Sequence, residues 1–312
     1  MAETAIMSQT NTFQDTNQLS NGHFEQTTYT ETLTSGEEDV ILEDPQLAAA
    51  MREGTKVVHR AAENSVFTKR FLKGEINRDE YGQYIQSLYF IYKSMEELLE
   101  KHKENPAIDL VYFPKELNRE QTLVQDLEYY YGKDRLAQVI DPSSMTPAVK
   151  QYIKALDDAC AIHPALLIAH SYSRYLGDLS GGQILAKRLK KHVLGLDEND
   201  GAWDSDQGLQ FYLFSNIGNQ KEFKAIYRDR LNAAKVNAKT RDLIVDEAVR
   251  SFELNIAVFD EVHELSQANK LRPTVGAKVV NSSVDRVRSA TFWVTAVTAV
   301  AISAAVCQRY MK

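Results

Sequence analysis

Residues 175–183 read Tyr-Leu-Gly-Asp-Leu-Ser-Gly-Gly-Gln, in the middle of a strongly helical run from Pro164 to Val193. Each glycine inside a helix costs about 1 kcal/mol relative to alanine, so three glycines cost roughly 3 kcal/mol. Gly177, Gly181 and Gly182 therefore call for an explanation. A flat ligand that lies against a bare backbone would explain the glycines, and it would also explain the single carboxylate, Asp178.

The three glycines belong to a stripe with three- and four-residue spacing, which puts Arg174, Asp178 and Leu185 on the same face of the helix. Close packing of two helices is the alternative explanation, because small residues serve that purpose as well. A packing seam has no use for Asp178, however, since a buried carboxylate without partners is unfavourable. The stripe favours a ligand-binding face, and the packing interpretation stays open.

Composition excludes several classes of protein. The 312 residues are 44% hydrophobic and 25% charged, which is ordinary for a globular protein. The net charge of -7 argues against a general nucleic-acid binder, and no nucleic-acid partner is expected. Two cysteines, Cys160 and Cys307, give no disulfide framework and fit a reducing compartment. The spacings of common zinc and di-iron helical sites do not occur in the sequence.

The pattern between the two ends predicts an all-α fold with a single multi-helix domain over residues 44–267, large enough for a full core. Asp44 and Pro45 predict a helix start, and that helix is expected to run to Gly74. Further helices are predicted at Arg78–Lys103, from Pro114 to Gly132, from Thr146-Pro147 onward, through the glycine stretch to about Gly195, and in two or three segments that end at Gln267. The helix at Arg78–Lys103 is predicted to bury one apolar face, made by Tyr81, Tyr84, Ile85, Leu88, Tyr92, Met95 and Leu99.

The two ends of the chain differ in character. Residues 1–43 are polar without an apolar period, which predicts a disordered tail that is not a signal peptide. Residues 268–289 are predicted to be a linker. Ala290–Val306 is apolar and uncharged, and as a helix it would span about 26 Å, close to the ~27 Å of the endoplasmic reticulum bilayer. We therefore predict a C-terminal transmembrane anchor over 290–307; a buried core helix is the alternative.

A planar apolar ligand suggests heme, and heme needs an axial ligand. His59 lies in the middle of a helix with Glu63 one turn later, so Glu63 could hold the imidazole directly or through water. A lone histidine on a helix is usually only packed, so this pair is weak by itself. Cations that could bind heme carboxylates are Arg52, Lys56, Lys224 and Arg228, although a solvated basic face is the simpler explanation for any one of them alone.

The stretch from Arg52 to Gln267 resembles eukaryotic heme oxygenase of the membrane-anchored type. The long motif Leu166–Gln183 is highly specific, and the histidine segment precedes it in the right order and at the right spacing. The matching pieces are Glu53–His59, Ala62–Asn64, Leu88–Tyr92, Val111–Pro114, Leu166–Gln183, Phe223–Arg230 and Phe252–Asn255.

The resemblance implies a role for residues at matching positions. His59 is expected to be the proximal ligand of the heme iron, with Glu63 as its hydrogen-bond partner. Gly177 and Gly181 are expected to let the distal helix lie over the heme, while Asp178 orders the water that delivers protons. The remaining assignments are Tyr92, Arg174 and Asn255 in the Asp178 network, Lys56, Tyr172, Lys224, Arg228 and Arg52 at the heme propionates, and Phe252 and Phe259 in the pocket wall.

Departures from the family pattern are few. Arg52 stands where lysine is usual, which keeps the charge; Ser173 replaces threonine before Arg174; and Thr68 replaces an apolar residue. No Cys-Pro pair occurs, so the heme-regulatory motifs of the constitutive vertebrate form are missing.

The implied activity is oxidative cleavage of heme to biliverdin, carbon monoxide and ferrous iron. Heme is then both substrate and cofactor, O2 is consumed, and electrons come from NADPH through NADPH-cytochrome P450 reductase. Biliverdin reductase is a further expected partner. The expected location is the endoplasmic reticulum membrane, with the catalytic domain in the cytosol. A non-catalytic heme sensor or carrier is the first alternative, and a tail-anchored helical scaffold without a ligand is the second.

Overall fold

The computed structural model describes residues 40–196 and 205–276, together with two paired strands of two residues each, β1 (Asp15–Thr16) and β2 (Gln26–Thr27). The rest of the predicted tail, most of the predicted linker and the predicted anchor over 290–307 lie outside the described residues. Among the residues that are described, no helix has both the length and the apolar content that a membrane span requires.

The described part of the domain is helical. Its α-helices are α1 (Leu47–Gly54), α2 (Lys56–Asn64), α3 (Val66–Lys73), α4 (Arg78–Lys101), α5 (Pro106–Asp109), α6 (Pro114–Leu117), α7 (Glu120–Tyr131), α8 (Lys133–Val139), α9 (Pro147–Ile162), α10 (Leu167–Gly177), α11 (Gln183–Arg188), α12 (Gln220–Asn232) and α13 (Ala238–Gln267).

The first predicted helix is three helices in the structure. It starts at Leu47 rather than at Asp44, because Gln46 takes a left-handed conformation with φ of 46° just before it. At Thr55 the chain turns between α1 and α2, and the Thr55 hydroxyl donates to the Met51 carbonyl at 2.7 Å. Ser65 leaves the helical conformation and caps α3. The prediction of one helix to Gly74 was wrong, although the last boundary holds.

Helix α4 is the centre of the core. Asn77 and Glu80 form a capping box at its start, which fixes where the helix begins. All members of the predicted apolar face from Tyr81 to Leu99 are buried, and the stretch from Glu80 to Tyr92 is buried on every side. The helix packs against α7, α9 and α13. This burial fixes the direction in which Tyr84 and Tyr92 point.

The glycine stretch keeps a helical path but widens. Between α10 and α11 lies a π-helical turn, Asp178–Gly182, which we call the distal turn. A second π-helical turn, Leu189–Val193, follows α11. Single π-turns inside α-helices frequently occur at functional sites. The predicted continuous run to about Gly195 is therefore present, with two local changes in helix geometry.

The segment after α13 returns to the domain. Thr274 is buried, and its backbone N–H and hydroxyl donate to Asp79 at 2.7 and 2.6 Å. The Val275 N–H donates to the Tyr130 carbonyl at 2.8 Å. Residues up to 276 are thus held on α4 and α7, so the first part of the predicted linker packs on the helical domain.

Candidate active site

A cavity of about 990 Å³ lies between α2, the distal turn, α12 and α13. This volume is at the upper end of the range of about 300–1,000 Å³ that small-molecule sites occupy. All members of the predicted stripe belong to its lining: Arg174, Gly177, Asp178, Gly181, Gly182 and Leu185. The spacing argument therefore identified one wall of the cavity from the sequence.

The glycines of this wall serve two different purposes. A Cβ atom built at Gly177 or Gly181 would meet no protein atom within 4 Å, so these two residues face open space. A Cβ at Gly182 would lie 3.4 Å from the Tyr212 ring. The packing interpretation is thus wrong for Gly177 and Gly181, which leave room for a ligand, while Gly182 serves close packing against Tyr212.

His59 enters the same cavity from α2, on a different wall. Its side chain is 54% exposed, and its ring lies 5.4 Å from the Phe252 ring, centroid to centroid. The Nδ1 atom is 3.6 Å from the Glu63 carboxylate, which is too long for a hydrogen bond. Glu63 is therefore a neighbour of the imidazole. A bridging water, or a small rotation of the Glu63 side chain, would complete the hydrogen bond to His59 Nδ1.

Asp178 is the centre of a polar network on the distal side of the cavity. The Tyr92 hydroxyl donates to its carboxylate. Burial raises the pKa of Asp178 to about 6, while Arg174, the Tyr92 hydrogen bond and Arg119 act in the opposite direction. Arg174 also donates to the side-chain oxygen of Asn255 on α13. The structure thus brings together all four residues that the sequence assigned to this network.

Three cations and a tyrosine belong to the lining of the cavity: Arg52, Lys56, Arg228 and Tyr172. Burial raises the pKa of the Tyr172 hydroxyl, and the positive charges of Arg228 and Arg52 oppose that rise, which shows that the three groups are neighbours. Phe252 and Phe259 line the cavity as well. Carboxylates of a ligand would find several charge-assisted partners here.

Lys224 is placed differently from the other predicted cations. It does not belong to the cavity lining; its ammonium donates to the Leu179 carbonyl at 3.2 Å and to the Ser180 hydroxyl at 3.0 Å. Lys224 therefore ties α12 to the distal turn in this structure. It stands close to the rim, but it does not converge with Arg52 and Arg228 on the cavity.

Sequence reasoning missed several residues of the cavity, above all Tyr84 and Tyr212. Tyr84 was predicted to be buried on the apolar face of α4, and nothing in that pattern indicated a cavity. Tyr212 comes from the short turn Gln210–Tyr212, which follows a loop. The turn is held by Asp126, whose carboxylate accepts the N–H groups of Gln210 and Phe211 at 2.9 and 2.8 Å. No local signal predicts this long-range contact.

A family model described as heme oxygenase matches residues 45–261. The chain belongs to the heme oxygenase family. Among curated relatives, heme oxygenase 1 of Homo sapiens is 40% identical over 247 residues, which cover 76% of this chain and 82% of that protein. Heme oxygenase 1 of Nostoc sp. is 41% identical over 251 residues, which cover 80% of this chain and 98% of that protein.

Solved structures of this family have the same fold. The crystal structure of heme oxygenase-1 from Synechocystis sp. in complex with heme is 41% identical, covers 72% of this chain and 95% of its own, and has a TM-score of 0.64. Heme oxygenase from Leptospira interrogans is 36% identical, covers 69% and 99% of the two chains, and has a TM-score of 0.61. The predicted all-α heme oxygenase fold is confirmed for the helical domain.

Proposed function

We propose that this heme oxygenase family member cleaves heme oxidatively to biliverdin, carbon monoxide and ferrous iron, with O2 and electrons from NADPH. The observation that carries the proposal is that one cavity contains both His59 and the buried Asp178 network. Heme binding alone would need His59 but not the Asp178 network. A carboxyl group whose pKa is near 6, next to a ligand cavity, is instead suited to proton transfer near neutral pH.

The residues of the cavity fit heme. Gly177 and Gly181 leave open space where a flat ring would lie, and His59 on a separate wall offers an imidazole for the iron. Arg52, Lys56, Arg228 and Tyr172 would hold the propionates. When bound, heme would supply the iron that activates O2, and its porphyrin ring would be the part that is cleaved.

The protein's part is to position heme and to control protons. His59 would hold the heme iron through a neutral imidazole, which lacks the electron donation by which a thiolate ligand promotes O–O cleavage. Asp178 holds or releases a proton at its carboxylate, where Tyr92 donates. The hydrogen bond from Arg174 to Asn255 keeps the network in place.

The test is turnover in a reconstituted system. Purified protein is mixed with hemin, NADPH-cytochrome P450 reductase and NADPH, and products are followed by absorbance and by carbon monoxide capture. Biliverdin and carbon monoxide are expected. Heme that is bound and reduced but never cleaved would contradict the proposed cleavage activity and would support a non-catalytic sensor or carrier.

For the electron donor we propose NADPH-cytochrome P450 reductase, and for removal of the product biliverdin reductase. The exposed cations Lys187, Arg188 and Lys191 follow the distal turn and would suit an acidic flavoprotein surface. Charge pairs at a protein surface weaken as salt shortens the Debye length from about 10 Å at 0.1 M. Turnover with reductase should therefore slow with added salt while hemin affinity is retained; a salt-independent rate would count against docking by these cations.

The location that we propose is the endoplasmic reticulum membrane, with the helical domain in the cytosol. Support comes from the apolar, uncharged stretch Ala290–Val306 and its basic flanks. The length of this stretch as a helix, about 26 Å, suits a thin bilayer.

A further inference from the structure

Tyrosines fill the inner end of the cavity. Tyr84 on α4 and Tyr212 on the turn after the loop line it, with 7% and 3% of their surface exposed. Tyr81, which is fully buried, lies one helical turn from Tyr84, and the two rings are 6.3 Å apart. We call Tyr81, Tyr84 and Tyr212 the tyrosine cluster. The sequence assigned no role to any hydroxyl of this cluster.

The hydroxyls of the cluster have no hydrogen bond of good geometry to protein groups. Those of Tyr81 and Tyr212 are buried and lie close to each other, but neither makes a hydrogen bond of good geometry with any residue that the structure describes. Within the same ranges, no hydrogen bond is found for the Tyr84 hydroxyl either, although it borders the cavity. Nearly all buried polar side chains in native proteins are paired with protein or with ordered water. Two buried hydroxyls without a partner of good geometry, beside a third at the cavity wall, therefore indicate a missing common partner.

The cluster lies against the distal turn. Tyr212 packs on Gly182, where a Cβ atom would lie 3.4 Å from the ring and 3.6 Å from the Cβ of Asp178. The charges of Arg174 and Asp178 act on the Tyr84 hydroxyl, and Asp178 and Tyr84 both act on the Tyr212 hydroxyl. The unpaired hydroxyls are therefore neighbours of the Asp178 network, and they are not part of an isolated apolar core.

Water is the partner that this site suits. A cavity holds an ordered water when it is polar, has room for about one probe sphere and offers two to four hydrogen-bond partners. Tyr84 and Tyr212 each offer a donor and an acceptor at the cavity wall. Burial raises the pKa of both phenols, so they remain neutral at physiological pH and pass a proton on without a change of charge.

We propose that the tyrosine cluster is a water-binding subsite of the cavity and that Tyr84 and Tyr212 position this water for the Asp178 network. The water site stands on the unpaired hydroxyls alone; its use in proton delivery rests on the proposed function. Dry packing of the three rings, with the hydroxyls left unpaired, is the competing outcome.

The first test uses the heme-free protein. Tyr212→Phe and Tyr84→Phe remove one hydroxyl each, and Tyr89→Phe is the matched control, a buried tyrosine of α4 that does not line the cavity. If the hydroxyls bind water, the Tm of each cavity variant should fall by roughly 2–4 °C relative to the control. An unchanged or higher Tm would overturn the proposal, because deleting an unpaired buried hydroxyl removes an unfavourable term.

The second test is a crystal structure of the protein. Ordered water within about 2.7–3.2 Å of the Tyr84 and Tyr212 hydroxyls is expected, and it should be lost in the variant that lacks both hydroxyls. A dry cluster in the wild-type crystal would overturn the water site regardless of any activity measurement.

The third test separates positioning from binding. In turnover with reductase, the double variant Tyr84→Phe/Tyr212→Phe should keep its hemin affinity while kcat falls by roughly tenfold, since a proton route contributes about 10²–10⁴-fold and Asp178 remains. An unchanged kcat would overturn the role in proton delivery. If the wild-type protein forms no biliverdin, the proposed function fails, while unfolding and crystal water still decide the subsite.

Discussion

A carboxyl group surrounded by protein ionises less readily than one in water, and at the scale of single residues this is the property that sets Asp178 apart. Burial raises its pKa from 3.8 to about 6, even though Arg174 and Tyr92 favour the charged form. An exposed aspartate would be ionised throughout the neutral range and could not return a proton. The fold thus creates the chemistry of Asp178 by removing water from it.

The shift of Asp178 gives a dependence of stability on pH. The folded state binds the proton of the Asp178 carboxyl more tightly than the unfolded state does, so ionisation of Asp178 opposes folding. The stability that Asp178 contributes to the folded state therefore falls as the pH rises from 3.8 towards 6. The rise in pKa from 3.8 to about 6 corresponds to roughly 3 kcal/mol. Relative to wild type, Asp178→Asn should therefore gain up to about 3 kcal/mol between pH 4 and pH 7.

Urea unfolding of the heme-free proteins at both pH values measures this gain. Asp109→Asn, at an exposed carboxylate, is the control for the loss of one charge. A gain at Asp178 that is no larger than the one at Asp109 would show that Asp178 is not desolvated in the way described.

His59 carries the second prediction at this scale. His59→Ala should remove the iron ligand, so hemin titration should give a weakened and shifted Soret band. His102→Ala, beyond the end of α4 and outside the cavity, is the matched control and should leave the band unchanged. An identical Soret band in His59→Ala and wild type would contradict the assignment of the ligand.

At the scale of elements, the distal turn shows what the glycines do. Gly177 and Gly181 border open space, whereas Gly182 packs on Tyr212. Helix propensity and spacing were enough to mark the stripe as anomalous and to locate one wall of the cavity. They could not distinguish the two uses of glycine, because that distinction depends on Tyr212, a residue that comes from a distant turn.

Gly181→Ala should have opposite effects on the free and the heme-bound protein. The heme-free protein should gain up to about 1 kcal/mol, because alanine favours the helix and its methyl group meets no protein atom. Hemin affinity should fall roughly tenfold or more, since overpacking a filled site costs about 1–3 kcal/mol. Thermal unfolding and hemin titration measure the two effects.

Gly182→Ala is the matched control one residue further along. Its methyl group would press on the Tyr212 ring, so it should bring no comparable gain in stability. If Gly181→Ala instead bound hemin as tightly as wild type, the open space beside Gly181 would not be the heme face.

The helices also show which features of the fold can be predicted from the sequence and which cannot. The apolar period of α4 predicted its buried face correctly, because packing against several neighbours imposes that period. The breaks between α1, α2 and α3 were missed, since they involve side-chain hydrogen bonds that the apolar pattern does not reveal: the Thr55 hydroxyl donates back to α1, and the Ser65 hydroxyl caps the start of α3. The placement of Lys224 on the distal turn was likewise not predictable from its spacing to Arg228.

At the scale of the whole molecule, the helical domain closes on itself through residue 276. Thr274 and Val275 are hydrogen-bonded to α4 and α7, so a chain cut after residue 276 keeps these contacts. The resemblance to a known family supplied the activity and the proposed electron donor, which composition and periodicity alone could not have given, whereas the apolar stretch Ala290–Val306 led to the proposed anchor by itself.

Truncation after residue 276 should therefore separate location from catalysis. The shortened protein should keep its Tm, its hemin affinity and its turnover, while the full chain sediments with membranes and the shortened one does not. A truncated protein that still sediments with membranes would contradict an anchor over 290–307. A lower Tm would show that residues beyond 276 contribute to the domain.

The measurement that tests the central claim most directly is a comparison of wild type and Asp178→Asn in one reconstituted reaction with hemin, reductase and NADPH. Both proteins should bind hemin with the same Soret band and affinity, since Asp178 is assigned to proton control and His59 to the iron. Wild type should form biliverdin, and Asp178→Asn should form little or none. Equal biliverdin from both proteins, or none from wild type, would contradict this account.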